Sequence, residues 1–517
     1  MISQSVVQPS FDDLYAIIEA DREKYAAAER PNMYPIHSYF SAEYLTPHLA
    51  YLKLTRPGDK NAERSPSFLF ESAKNGDQID RYSFMGTKPR KIITTGPLHG
   101  NEADPLIFLE QELKNIRQAQ LPGVPKLSGG AIGYVSYDCI KYFEPRTKRD
   151  LKDVLELPEA ALMLFDSIVA FDNVFQRFQV ISNVTISDND TKDDIERKHA
   201  EAVEQIQKIK QVVTAPEDPL IYPEQPKIVE NQTFTSNIGQ SGYEGFVRKL
   251  KEHILKGDII QAVPSQRVAR PTSLHPFNIY RHLRTVNPSP YMFYIDYLDF
   301  QIVGASPELL VKSDNKDRVV THPIAGTIRR GKTREEDDEL AHILKSSLKD
   351  RAEHVMLVDL ARNDVNRVCQ PQSTTVDRLL NVERFSHVMH LVSQVSGTLR
   401  SDKTRFDAFR SIFPAGTVSG APKVRAMELI GELEREKRGV YAGAVGHWSY
   451  DGKTMDTCIA LRTMVVKNGV AYLQAGGGIV YDSDPYEEYI ETMNKMMANN
   501  NTIVEAERLW AEKVGSI

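Results

Sequence analysis

The chain has 517 residues, 26% charged, 41% hydrophobic and with a formal net charge of -6, enough for two or more domains or one large composite one. A negative balance without a long basic run argues against nucleic acid or an anionic membrane as main partner, and no run of about 18 apolar residues offers a membrane span. Cys139, Cys369 and Cys458 form no C-x-x-C pair, which suits a reducing compartment, and Met1 to Tyr15 lacks the Lys or Arg of a signal peptide, so a cytoplasmic protein is expected.

Short β-rich runs come first: Ser67 to Ser72, Gly129 to Tyr137, and a group from Ala161 to Val184. A polar helix follows, with Ile195, Ala202, Val203, Ile206 and Ile209 at helical spacing, and gives way to Pro216, Pro219, Pro223 and Pro226. That is a linker signature. It divides the chain into residues 1–215, a linker over 216–240 and residues 241–517. Next, Phe246, Leu250 and Ile254 predict a helix from Tyr243 to Lys256, stopped by Gly257 and followed by an apolar run to Val268. Strands and helices then alternate to the end, which predicts a mixed α/β fold (α+β type) with antiparallel sheet.

Gly326 to Thr333 reads G-T-I-R-R-G-K-T and satisfies the phosphate-loop pattern, with Val355 to Asp359 as a conceivable partner motif. The context is poor. Ile328, Arg329 and Arg330 crowd a loop that should be lean, Val355 to Asp359 sits in a helical pattern, and Thr333 with Glu336 reads as a capping box. A P-loop nucleotide hydrolase is nevertheless the alternative from a different class, ahead of a pure binding protein.

In the stretch Arg351 to Asp364, Ala352, Val355, Met356 and Leu360 fall on one side of a predicted helix that also carries Glu353. Asp350, Asp359 and Asp364 read as solvated or capping groups. Further on, Val470 to Leu473 predicts a strand ending in Gly476, Gly477 and Gly478, where backbone N–H groups can face an anion. Asp484 and Pro485 mark a helix start, and that helix stacks Glu487, Glu488 and Glu491 on neighbouring parts of one face. Such carboxylates are either bathed by water near the positive helix end or neutralised by a cation. Glu353 and Glu491 on two helices would suit Mg2+, which takes one or two carboxylates and leaves room for water and an anionic substrate.

With P-I-A-G-T (323–327) in view, the chain is similar to the chorismate-utilising enzymes, and among them to the component I group of the anthranilate synthases. The resemblance extends from about Ser67 to the last helix. It is carried by F-L-F-E-S (68–72), G-D-I-I-Q (257–261), N-P-S-P-Y-M (287–292), G-A-S-P-E (304–308), A-E-H-V-M-L-V-D-L-A-R-N-D (352–364) and H-L-V-S (390–393). It continues through F-P-A-G-T-V-S-G-A-P-K (413–423), Y-A-G-A-V-G (441–446), A-L-R (460–462), Q-A-G-G-G (474–478) and E-T-M-N-K (491–495). It implies the chorismate-utilising fold, antiparallel sheets packed as a sandwich with helices outside.

The resemblance also implies roles. Glu353 and Glu491 would hold Mg2+ against the ring carboxylate of chorismate. Arg462 would take the enolpyruvyl carboxylate, with Tyr441 and the N–H groups of Gly476, Gly477 and Gly478 completing the cradle and Gly326 and Thr327 lining the other wall. Glu308 would be the acid that helps the C4 hydroxyl leave as ammonia adds at C2, Thr417 would orient the ring, and His390 would sit beside the enolpyruvyl group. By local sequence alone each has a plainer reading: Arg462 and Tyr441 as surface or packing residues, and His390, with His387 nearby, as a core histidine.

Two positions separate the relatives. Isochorismate synthases carry a water-activating lysine where Gln261 stands, and aminodeoxychorismate synthases carry one at Ala325. What remains is ammonia addition and pyruvate loss, giving anthranilate, the first committed step of tryptophan biosynthesis; the two sister chemistries stay as alternatives. No glutaminase nucleophile motif surrounds any cysteine, so a glutamine amidotransferase partner subunit, and thus a hetero-oligomer, is expected. F-L-F-E-S and N-P-S-P-Y-M resemble the elements of an L-tryptophan feedback pocket, with Ser72, Pro290, Tyr291 and Met292 as candidate contacts and Phe70 in place of the usual leucine.

Overall fold

The strands Gly130–Val135 and Ala160–Phe165 are buried at every position. A strand that is apolar on both faces has to be covered on both, and here one face meets a second sheet and the other a layer of helices. The computed structural model describes residues 6–41, 44–72, 81–215, 222–385 and 388–515.

The larger sheet has 12 strands. In spatial order they are Val7–Gln8, Met33–Phe40, Arg177–Thr185, Ser167–Asp172, Tyr82–Thr87, Ser67–Glu71, Tyr291–Asp296, Phe300–Ser306, Thr463–Lys467, Val470–Gly476, Ser265–Pro271 and Thr235–Ser236. The second sheet has 10, running Ile324–Arg329, Val388–Thr398, Arg318–Thr321, Leu309–Ser313, Met455–Ile459, Ala444–Ser449, Gly130–Val135, Ala160–Phe165 and Lys91–Thr95, with Thr375–Arg384 also paired to Val388–Thr398. Phe68, Ile295, Ile302 and Val465 of the larger sheet pack against Ile132, Tyr134, Met163 and Val445 of the smaller. Helices Phe11–Lys24, Pro47–Thr55, Lys192–Thr214, Pro276–Val286 and Pro485–Val514 cover the outer face of the first sheet through Leu14, Leu52, Ile206, Leu283 and Ile503. Pro105–Leu113, Leu348–Asn366, Arg405–Ile412 and Lys423–Glu434 cover that of the second. This is the expected sandwich with helices outside.

Residues 216–221 of the proline-rich stretch lie outside the described residues. Each sheet takes strands from both sides of that stretch, so the two sequence segments share both sheets. The helix predicted from Tyr243 runs from Gly239 to Leu255, and the apolar run after it forms the strands Gln261–Ala262 and Ser265–Pro271. The helix Leu348–Asn366 forms as expected, but its predicted packing side does not: Val355 is 49% exposed and Ala352 is exposed, while Leu357, Val358 and Val365 face the core. The segment has two apolar stripes, and periodicity alone could not choose between them.

Two neighbouring segments change sheets side by side. Phe300–Ser306 continues into Leu309–Ser313, and Met455–Ile459 into Thr463–Lys467; the partners Gly304↔Thr463 and Leu309↔Cys458 bracket the crossing. Ser306 Oγ donates to Ile459 O (2.6 Å), Ile459 N–H to Glu308 O (3.0 Å) and Ala305 N–H to Arg462 O (3.2 Å), so the interrupted ladders stay satisfied.

The C-terminal helix begins at Asp484, whose side chain accepts from Tyr486 N–H (3.0 Å) and Glu487 N–H (3.1 Å). Buried Arg270 fixes it to the larger sheet by two bonds to Glu507 (2.8 and 2.7 Å), which Thr272 joins at 2.9 Å. Removing one partner leaves a buried charge, so Glu507→Ala is expected to destabilise by about 3–5 kcal/mol. A thermal midpoint unchanged by that substitution would contradict this.

Candidate active site

Glu308 sits in the first crossing, between the strands Phe300–Ser306 and Leu309–Ser313, and is 5% exposed. Burial pushes its carboxyl up to about 8, against smaller opposing contributions from the Thr417 hydroxyl, which donates to Oε1 at 2.9 Å, and the Ile324 N–H. At neutral pH it therefore holds its proton.

The second crossing places Arg462, at φ 50°, between Met455–Ile459 and Thr463–Lys467. Its Nη1 stands 3.5 Å from Lys495 O, and burial lowers its pKa while the Tyr441 hydroxyl raises it. His390, on Val388–Thr398, donates from Nδ1 to Gly326 O (2.9 Å), with Thr327 Oγ1 at 3.1 Å, which leaves Nε2 as an acceptor. Burial takes its pKa down to about 4, and the Arg462 and Lys495 cations push the same way, so this imidazole is neutral. His387 lies outside the described residues.

Gly476 ends the strand Val470–Gly476 opposite Ser265. A Cβ there would stand 2.4 Å from Pro264 O and 3.1 Å from the Tyr441 hydroxyl, and one at Gly478 would stand 2.3 Å from Gln261 Nε2 and 3.4 Å from Glu353 Oε1. Only glycine admits so close an approach. The N–H groups are less open than the sequence suggested: that of Gly477 donates to the Tyr243 hydroxyl (3.2 Å), and Gly476 faces the hydroxyl of Tyr441.

Gln261 Nε2 donates to Glu353 Oε1 at 2.9 Å, while the Gln261 Oε1 is buried without a partner. Glu353 is raised by burial first, then by the charges of Asp350 and Glu491, with Lys495 opposing. Glu491 pairs with Lys495 (2.6 Å), whose Nζ also donates to Gly476 O (3.0 Å). Glu488 is raised by burial and by Glu491, and accepts from Ser483 Oγ at 2.6 Å. The two helices thus bring Glu353 and Glu491 within electrostatic reach and add Asp350 and Glu488, which sequence reasoning left aside. Among the described residues no group of three or more His, Cys, Asp and Glu is arranged to hold a metal by itself. A hard divalent cation that keeps water and substrate ligands fits this oxygen-only set, because it would relieve Glu353 and Glu488, both raised by burial and by the Glu491 charge. Tyr243 and Lys495 were also unassigned, and Gln261 had been read only as a position that separates the relatives; the signal for Lys495 was its position four residues after Glu491.

The register Met292↔Glu71 sets Tyr291 beside Ser72, next to buried Met292, with Pro290 immediately before the strand. Tyr291 donates to Asp456 Oδ1 (3.0 Å), and Glu71 accepts from Arg284 (2.6 and 2.8 Å) and Tyr280 (2.6 Å). Residues 73–80 lie outside the described residues. Thr327 to Arg329, by contrast, pairs as strand after an irregularity at Gly326 (φ 67°), so the G-T-I-R-R-G-K-T stretch is no phosphate loop. Thr333 caps the next helix, as read, but the Glu336 carboxylate accepts from Lys332 N–H.

A buried acid and a buried guanidinium at the two sheet crossings, with a carboxylate pair on two helices, suit an enzyme for a small anionic substrate. The chain belongs to the chorismate binding enzymes, whose family model matches residues 65–500. It is 66% identical over 517 residues to anthranilate synthase component 1 of Saccharomyces cerevisiae, covering 100% of both chains. It is 56% identical to a probable anthranilate synthase component 1 of Schizosaccharomyces pombe, over 96% of this chain and 98% of the other. Among solved structures, anthranilate synthase component I of Streptococcus pneumoniae superposes with a TM-score of 0.71 at 36% identity, covering 88% of this chain and 97% of that one. The isochorismate synthase MenF of Escherichia coli shares the fold at 18% identity, with a TM-score of 0.67 over 96% and 98% of the two chains.

The unfolded chain ionises Glu308 from about pH 4.5, whereas the folded protein keeps its proton to about 8. The contribution of this group to stability is therefore full below the unfolded value and is lost as pH rises through that window. Glu308→Gln is expected to lose less thermal midpoint than the wild type between about pH 5 and about pH 8. Parallel pH curves for the two proteins would refute the assignment.

Proposed function

We propose that this chain is the large, chorismate-consuming subunit of an anthranilate synthase, converting chorismate and ammonia to anthranilate, pyruvate and water. The observation that carries the choice of chemistry is the carboxamide of Gln261 against Glu353. An amide cannot take a proton from water, and Ala325 has no amine, so neither side chain prepares hydroxide or a covalent amine. Ammonia brings its own lone pair.

Ammonia forms its bond to C2 as the ring double bonds shift and the C4 hydroxyl departs as water, taking the Glu308 proton, which burial retains and the Thr417 hydroxyl, donating to the same carboxyl, helps release. Loss of the C2 proton and of the enolpyruvyl group as pyruvate then makes the ring aromatic. Arg462, with Tyr441 beside it, would hold the enolpyruvyl carboxylate, and neutral His390 presents an acceptor nitrogen to the same region. Glu353 and Glu491 would hold Mg2+, which when bound neutralises the ring carboxylate as charge builds. Gly326, Thr327 and Gly478 form the walls. The ammonia would come from a partner glutamine amidotransferase, free ammonium salts standing in for it, and tryptophan would bind at Ser72, Pro290, Tyr291 and Met292. No helix among the described residues is long and apolar enough to cross a membrane, and we place the protein in the cytoplasm. In this reading 1–215 supplies Ser72 and 241–517 supplies Pro290, Tyr291 and Met292 to the regulatory pocket, together with the residues of the catalytic site.

Purified chain with chorismate, Mg2+ and ammonium is expected to develop anthranilate fluorescence; isochorismate or aminodeoxychorismate in its place would overturn the reading. Glu308→Gln is expected to lower kcat by about 10²–10⁴, the contribution of a positioned acid. Tryptophan and chorismate are expected to weaken each other's binding by one common factor, measured by equilibrium titration of each in the presence of the other. Independent affinities would remove the regulatory site.

A further inference from the structure

Beside Tyr441 lies a second guanidinium to which no role has yet been given. Arg438 is 2% exposed, and four of its five N–H directions are used. Nε and Nη2 donate to Glu434 (2.9 and 2.7 Å), Nη1 donates to Val418 O (2.9 Å), and Nη2 donates also to Val263 O (2.7 Å). Its flat face lies 4.4 Å from the Tyr137 ring centroid and 5.6 Å from that of Tyr441. Glu434 accepts in turn from Ser265 N–H (2.7 Å) and Oγ (3.0 Å), at the start of the strand that pairs with Gly476.

Each anchor adjoins a residue of the site. Val418 follows Thr417, the donor to Glu308; Val263 is two residues past Gln261, the donor to Glu353; and the two segments pair through Gln261↔Ala421 and Ala262↔Gly420. We infer that Arg438 is a positioning residue, whose fork holds the Thr417 turn and the Gln261 strand in one register so that Glu308 and Glu353 meet their donors together. The inference rests on the anthranilate synthase reading. Stability alone is a weak reason for such a residue, since a buried ion pair is often no better than well-packed apolar side chains of the same volume. A lysine there would keep the charge opposite Glu434 but could not reach two carbonyls and a carboxylate at once.

Around Arg438 the charged and titratable groups include Glu434, Tyr137 and Tyr441, with Asp138 accepting from its backbone N–H (3.3 Å). On the Glu308 carboxyl, the acting groups are Thr417 and the Ile324 N–H, with no charged side chain of the described residues among them. If the Thr417 bond loosens, the opposition to burial weakens and Glu308 keeps its proton to higher pH.

The test uses the full chain with chorismate, Mg2+ and ammonium. Arg438→Lys is expected to lower kcat by about 10²-fold, the effect of a misplacement near 1 Å, and to move the alkaline limb of the kcat profile to higher pH. Thr417→Val is expected to move that limb the same way, and the double variant no further, because both act on one bond. Arg438→Gln serves in the same cycle if the lysine variant does not fold. A limb that stays at its wild-type position, or shifts that add in the double variant, would overturn the inference. A wild-type chain that forms no anthranilate would instead overturn the reading beneath it.

Discussion

The site depends on two chain segments leaving one sheet for the other at the same place. A strand that changes sheets gives up ladder partners, and two neighbours doing so together open a gap whose rim is backbone held by specific bonds. Ser306, Ile459, Ala305 and the Arg462 carbonyl supply those bonds, so Glu308 and Arg462 project from fixed positions on the seam. Catalytic groups on strand ends are held more tightly than groups on free loops, which suits a reaction in which acid, amine and leaving group must align.

Around that gap the charges are arranged in opposition. Glu353 and Glu488 are raised by burial and by Glu491, Asp350 adding to the first, Lys495 opposes both, and His390 and Glu308 are held neutral. A metal at the carboxylates and a dianion at the cations would each relieve a strain that the other leaves in place.

Much of this was legible in the residues. Strands rich in apolar residues, the Asp484–Pro485 helix start and the glycine run all formed where their local chemistry placed them. Local rules could not say that Ala160–Phe165 and Ser167–Asp172 belong to different sheets, because one intervening residue makes the change. Nor could they choose between two apolar stripes on Leu348–Asn366, where side-chain period is the same for both. The contact of Gln261 with Glu353 and the parts played by Tyr243 and Lys495 went unread for a related reason: each acts through a partner far away in sequence or through the backbone of a neighbour.

The interleaving of early and late segments in both sheets has a bearing on how this molecule comes to exist. Strands Ser67–Glu71 and Gly130–Val135 leave the ribosome long before their neighbours Tyr291–Asp296 and Ala444–Ser449. Until then their edges present unpaired amides, the surface on which nascent chains associate wrongly. Synthesis of nearly the whole polypeptide must precede closure of either sheet, and a severed carboxy-terminal portion would inherit the same raw borders. Early and late segments are in this way inseparable: neither can complete its sheets without the other.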